Sequence, residues 1–121
     1  MDVNQFVVNV NSSQPDKLIE FYRDTIGLAV NGDMGPGAFM AGSSSFIALI
    51  IEGHSDVQGP TKEPSRVLLN FIVSDLASEE SRLKAAGVHF TMDATKEPGF
   101  GTIATFADPD GNLCQLMELE S

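Results

Sequence analysis

The sequence predicts an α+β fold made of two similar halves, each running strand, helix, then several strands. Three observations carry that reading. Apolar residues recur at helical spacing in two stretches, each entered through polar capping residues and closed by a glycine. Short apolar or alternating runs flank those stretches in the same order in both halves. A segment rich in Gly, Pro and polar residues, Gly53 to Ser65, separates them.

The elements follow in chain order. Phe6 to Val10, apolar except Asn9, begins the first strand. Ser12 or Ser13 is placed to cap a helix with Pro15 in its first turn. Leu18, Ile19, Phe21, Tyr22 and Ile26 form its apolar stripe, and Gly27 ends it. Leu28 to Val30 starts another strand, and Asn31 to Gly37 (NGDMGPG) is turn-rich. Phe39 to Ala41 and Phe46 to Ile51 read as two short strands. After the central segment, Val67 to Val73 is a strand, and Asp75 or Ser74 caps a helix whose stripe is Leu76, Leu83 and Ala86. Gly87 closes that helix. Val88 to Met92, Thr102 to Phe106 and Leu113 to Leu119 complete the set, the last two joined by the turn Asp108 to Asn112 (DPDGN). One domain is expected over 1–121, with modules at about 1–53 and 66–121 and a linker at 54–65.

Composition narrows the function classes. Apolar residues make up 42% and charged residues 20% of the 121, so the chain can bury a core. Seventeen acidic side chains against seven basic ones leave a net charge of −10. A phosphate-binding footprint needs clustered Lys and Arg, so no nucleic-acid partner is expected. The same field attracts a cationic guest. No apolar run approaches the ~20 residues that span a bilayer, and no basic-then-apolar leader opens the sequence. A cytoplasmic location and no membrane partner are the expectations. Cys114 is the single cysteine, which excludes an intrachain disulfide and a cysteine metal cluster, and its apolar strand suits a buried side chain.

Side-chain alternation decides what each strand presents. Phe6, Val8 and Val10 point toward the helix, leaving Gln5, Val7 and Asn9 on the other face. Val67, Leu69, Phe71 and Val73 oppose Leu68, Asn70 and Ile72. Cys114 and Leu116 oppose Leu113, Gln115 and Met117. One surface is therefore expected to carry Gln5, Asn9, Asn70 and Gln115 among apolar neighbours. Unpartnered buried amides cost about 1–3 kcal/mol each, so these bond one another or face a wet pocket. Both arrangements stay open at this level.

Three phrases resemble the vicinal oxygen chelate superfamily, which includes glyoxalase I, extradiol dioxygenases, and fosfomycin- and bleomycin-resistance proteins. They are VNVNSSQPDKLIEFYRDTIGL (Val8 to Leu28), NFIVSDLASEESRLKAAGV (Asn70 to Val88) and FADPDGNLCQLME (Phe106 to Glu118). The resemblance implies two βαβββ modules forming a U-shaped mixed sheet around a cleft, with helices outside. It also implies a homodimer. The positions that hold a metal in metal-dependent members read Gln5, Ile51, Leu68 and Gln115 here, with Glu52 beside Ile51 expected to point away. A divalent cation wants imidazole and carboxylate donors, and Leu68 offers none. His54 falls in the linker and His89 near a strand start, neither at ligand spacing. No metal, cofactor or catalytic residue is therefore assigned.

The leading expectation is a metal-independent small-molecule binder resembling the bleomycin-resistance branch. Its candidate pocket is Gln5, Val7, Asn9, Ile51, Leu68, Asn70, Gln115 and Met117, for a small apolar or cationic ligand. Phe39, Phe46, Phe90, Phe100 and Phe106 are the available aromatic surface. A glyoxalase-like lyase or other enzyme with a non-standard site is the second reading. It needs a base such as Glu52, Glu97, Asp93 or His89, since no Ser-His-Asp set or G-x-S-x-G elbow occurs. A structural or regulatory homodimer is the third.

Overall fold

The computed structural model describes residues 1–40 and 42–120 and shows the expected alternation of strands and helices. The chain divides into two units, Met1–Gly59 and a second that begins at Pro60. The first contains β1 (Val8–Ser12), α1 (Pro15–Glu20), β2 (Ala38–Met40) and β3 (Ile47–Gly53). The second contains β4 (Leu68–Ile72), α2 (Leu76–Ala85), β5 (Phe90–Glu97), β6 (Gly101–Ala107) and β7 (Leu113–Leu119).

Both units share one wiring. The first strand lies parallel to the last strand of its unit, and the preceding strand pairs antiparallel with that last strand. The sheets run β1-β3-β2 and β4-β7-β6-β5, each mixed. This is the repeat expected from element order. The copies differ in one place. Where the second unit has β5, the first has a single bridge between Val30 and Phe39. The strand expected from Leu28 is cut short because Gly32–Met34 coils into a 3₁₀ turn, tied by Asp33 N donating to the Asn31 carbonyl oxygen, Oδ1. Ala41, the expected end of the second strand, lies outside the described residues.

Local chemistry sets the helix ends. Pro15 occupies the first position of α1, and Gln14, not Ser12 or Ser13, is the residue before it. The proline ring presets the helical φ and needs no donor partner. The Ser12 hydroxyl instead accepts from Gln14 N at 3.0 Å. Past Glu20 the chain widens into a π-helical turn, Phe21–Ile26, ended by Gly27 at φ 89°. The α1–π segment buries Leu18, Ile19 and Tyr22, and the sheet of that unit buries Ser12, Ala38, Phe39, Leu49 and Ile51. The Tyr22 and Phe39 rings stand 6.5 Å apart.

In the second unit Asp75 caps α2, its Oδ1 accepting from Ser78 N at 3.1 Å. Glu118, reaching back from β7, accepts from Leu76 N at 2.8 Å. Two carboxylates thus meet the positive end of the helix dipole. Leu76 and Leu83 of α2 are buried along with Ala104, Phe106, Cys114 and Leu116 of the sheet. Burying each leucine is worth roughly 1.5–3 kcal/mol. The Lys84 ammonium donates to Asp93 at 2.7 Å, lies 3.6 Å from Glu80, and sits 5.3 Å over the Phe90 ring. The hydrogen bond that Lys84 donates to Asp93, with the charges of Asp93 and Glu80, holds the Lys84 pKa above its usual range. That pair therefore contributes at neutral pH and is lost as Lys84 deprotonates in strong base.

The DPDGN turn is built on one side chain. Asp108 Oδ1 accepts from Asp110 N and Asn112 N, both at 2.9 Å, and its Oδ2 accepts from Asn112 Nδ2 at 2.8 Å. Asp108 is buried, so its truncation strands three donors. Asp108→Ala is expected to cost about 2–3 kcal/mol, measured by urea unfolding. Asp108→Asn, which keeps one acceptor oxygen, should cost less. Equal losses for both would show that the carboxylate is not what organises the turn.

Candidate functional site

Each sheet has one face against its helix and one face turned from it. In the second unit the pairing register assembles the latter face. Asn70, Gln115 and Thr105 stand side by side across β4, β7 and β6. Leu68, Leu113 and Ala107 form the next row on one side, and Ile72, Met117 and Ile103 the next on the other. A polar row thus runs between two apolar rows. Leu68 and Ile72 are exposed, 37% and 64%, while Leu113, Met117 and Ile103 are half-buried. On the opposite face Cys114, Leu116, Ala104 and Phe106 are buried, so the alternation expected for the last strand is what the structure has.

The polar row is partly self-satisfied. Gln115 Nε2 donates to Thr105 Oγ1 at 3.1 Å. Gln115 Oε1 accepts no hydrogen bond from the described residues, and the Asn70 side chain makes none with them. No fully buried side-chain nitrogen or oxygen among the described residues lacks a partner. The Gln115 oxygen and the Asn70 amide are therefore reached by solvent. Asn70 is exposed and Gln115 is half-buried. Thr105 was not a candidate from sequence. Its place follows from its register opposite Gln115, which alternation along a single strand does not supply.

The first unit places its candidates less uniformly. β1 begins at Val8, two residues later than expected, and Phe6 is 78% exposed. Gln5 and Val7 therefore precede the strand. Gln5 Nε2 donates to the Ile47 carbonyl at 2.7 Å, which ties the N-terminal segment to the start of β3. Asn9 pairs with Ile50, and Val10 with Ile51.

That register corrects one candidate. Ile51 is 3% exposed and lies on the helix-facing side with Val10 and Leu49, so it is a core residue and not part of an open face. Glu52, expected to point away, is the residue that shares a side with Asn9. Asn9 Nδ2 donates to Glu52 Oε2 at 3.5 Å. The physical reason is pairing: Val8 and Val10 face the helix, and their partners Leu49 and Ile51 must do the same.

The remaining titratable candidates sit apart from these faces. His54 is exposed in its loop, with Nδ1 accepting from Asp56 N at 3.1 Å. His89 is exposed before β5, its carbonyl accepting from Ala107 N. Asp93 is held by Lys84, and Glu97 is exposed at the end of β5. Phe39 and Phe106 are core, Phe90 is half-buried, and Phe46 and Phe100 are exposed.

The donor set does not fit a divalent cation. Of the four positions named by resemblance, Ile51 and Leu68 are hydrocarbon, and Gln5 and Gln115 are neutral amides whose nitrogens already donate within the protein. Such a cation needs carboxylate or imidazole ligands to offset its lost hydration. Among the described residues no three His, Cys, Asp or Glu side chains gather to hold one. Among the described residues no helix is long and apolar enough to cross a membrane.

Comparison with known proteins adds the following. Residues 3–116 match the family model of the Glyoxalase/Bleomycin resistance protein/Dioxygenase superfamily. The uncharacterized protein YurT of Bacillus subtilis (strain 168) is 29% identical, over 93% of this chain and 96% of that protein. Among solved structures, TnmS3, an antibiotic-binding protein from Streptomyces sp. CB03234, superposes with a TM-score of 0.75 at 23% identity, covering 99% of each chain. A superfamily member from Sphaerobacter thermophilus DSM 20745 gives 0.73 at 20% identity, covering 97% of this chain and 98% of the other. At these identities the two structures establish a shared fold.

Proposed function

Since the chain belongs to the glyoxalase/bleomycin resistance protein/dioxygenase superfamily, we propose that it is a metal-independent small-molecule binding protein, working as a homodimer. The observation that carries this reading is the Asn70–Gln115–Thr105 row, flanked on both sides by apolar rows. Ligand sites are mostly apolar walls with a few placed polar groups, and this face has that composition. The side chains of these three rows are aliphatic, thioether, amide or hydroxyl, and none takes up or gives up a proton near neutral pH. They suit holding a molecule better than abstracting a proton from it. TnmS3, which shares the fold, is described as antibiotic-binding. That supports binding as a use of this architecture.

Native mass spectrometry of the protein isolated from its own cells tests the reading. A small molecule is expected to co-purify with a dimer free of stoichiometric metal, and to be lost from the Gln115→Leu variant. A ligand retained only with one bound metal ion per chain, released together with it by a chelator, would overturn metal independence.

A further inference from the structure

The geometry points to the chemical class of the ligand: an uncharged molecule with a broad apolar body, whatever the sense of its hydrogen-bonding groups. This inference rests on the binding reading above and adds to it what the face excludes.

The face is wider than three strands. Pairing between β5 and β6 shifts register between Phe90 and Met92. Phe90 stands opposite Phe106, the two rings 5.4 Å apart on the helix side of the sheet. In a regular strand Met92 would follow Phe90 to that side. The shift instead sets Met92 opposite Thr105, and a second shift sets Thr95 opposite Ile103. Both join the face turned from the helix, Met92 extending the polar row and Thr95 the row beside it. Adjacent strands lie about 4.8 Å apart, so four strands give a surface about 14 Å across.

No residue of these rows is charged, in a chain with seventeen acidic and seven basic side chains. The charges at the borders are engaged or placed elsewhere. Arg66, just before β4, donates through Nε and Nη2 to Glu63. Asp93 on β5 receives Lys84. Glu97 stands opposite Gly101 on the outer strand, one row beyond Thr95. A charged group laid on the rows loses hydration without gaining a counter-ion, which costs far more than covering a hydrogen-bonded amide. The net charge of −10 draws a cation toward the whole molecule. That pull is screened over about 8 Å at physiological salt and does not offset the local loss. A neutral polar group meets no such penalty. The Asn70 side chain bonds no other described residue, the Gln115 oxygen accepts from none, and each amide can both donate and accept. The row therefore takes a carbonyl, a hydroxyl or an amide N–H alike, and it sorts ligands by charge.

Three probes built on one ring system test the class. 2-Naphthamide, 2-naphthoate and 2-naphthamidine share a flat body and a planar headgroup, and at neutral pH they are uncharged, anionic and cationic. Each is titrated into ¹⁵N-labelled protein, following the backbone amides of Leu113 and Met117 and the side-chain amides of Asn70 and Gln115. 2-Naphthamide is expected to bind at least about tenfold more tightly than either ion, in low and in physiological salt. Gln115→Glu is expected to make 2-naphthamidine the tightest of the three, because it supplies the counter-ion that the face lacks. Asn70→Asp, at an exposed position, is expected to do the same and serves if the Gln115 variant does not fold. Tightest binding of either ion to the unmodified protein, or equal binding of all three, with shifts at Leu113 and Met117, would overturn the uncharged class and leave the binding function standing. An unchanged order in the folded variants would overturn it likewise. No shift on this face with any probe would also overturn the class, and a co-purified molecule that shifts residues elsewhere would then overturn the binding reading with it.

Discussion

Replacing Phe106 by alanine is expected to destabilise the fold by about 3–5 kcal/mol, the range for removing a fully buried aromatic ring. Phe106 is 0% exposed at the centre of the four-stranded sheet. Its ring centroid lies 5.4 Å from that of Phe90, the ring that also receives Lys84. It is in register with Cys114 on one side and Phe90 on the other. The truncated side chain leaves a void that strand backbones, held by their ladders, cannot close. Phe106→Leu, which keeps most of the volume, should cost less than about 1.5 kcal/mol. Urea unfolding followed by far-UV circular dichroism measures both. A loss below about 1 kcal/mol for the alanine variant would show that the core of this unit is not centred on β6.

Gly101→Ala is the second large effect, expected at about 3 kcal/mol or more. Here the cause is steric and lies in the backbone. Gly101 has φ 151°, and a Cβ placed there would meet the Glu118 carbonyl oxygen at 2.1 Å and Leu119 Cα at 2.9 Å. Neither atom belongs to a side chain that could rotate aside. The β6–β7 ladder would have to part at the Gly101–Leu119 pair. Gly111→Ala is the informative control, since Gly111 has φ 81° with nothing within 4 Å of the added Cβ. Its cost is conformational alone, about 1–2 kcal/mol. Similar thermal shifts for the two variants would mean that the close approach at Gly101 relaxes easily.

Much of the fold was legible because its signals are local. The capping Asp75, the closing Gly27 and Gly87, and the DPDGN turn each act within a few residues. Each stands where the sequence places it. The last strand was equally plain, since Cys114 and Leu116 alternate with Leu113, Gln115 and Met117. What sequence did not reveal depends on pairing between distant segments. The inward turn of Ile51 and the outward turn of Glu52 follow from a register with β1 about forty residues away. The same holds for Thr105, a candidate only once β6 is laid against β7. The early start assigned to the first strand has another origin. Phe6 is apolar enough to read as strand, yet it stays exposed and its neighbour Gln5 is tied to Ile47 by a side chain.

The contact between Glu80 and the backbone of β5 bears on how the protein behaves in a crowded solution. β5 ends its sheet, and an end strand with free amide groups can recruit a strand from another molecule. Glu80 Oε2 accepts from Ala94 N at 2.8 Å, where the β5–β6 pairing is irregular. A carboxylate thus fills an amide position that an incoming chain would use. Asp93, Lys96 and Glu97 add exposed charge along the same strand. At this point of the margin strand addition is opposed by the protein's own helix, and the exposed charges oppose it along the rest of the strand.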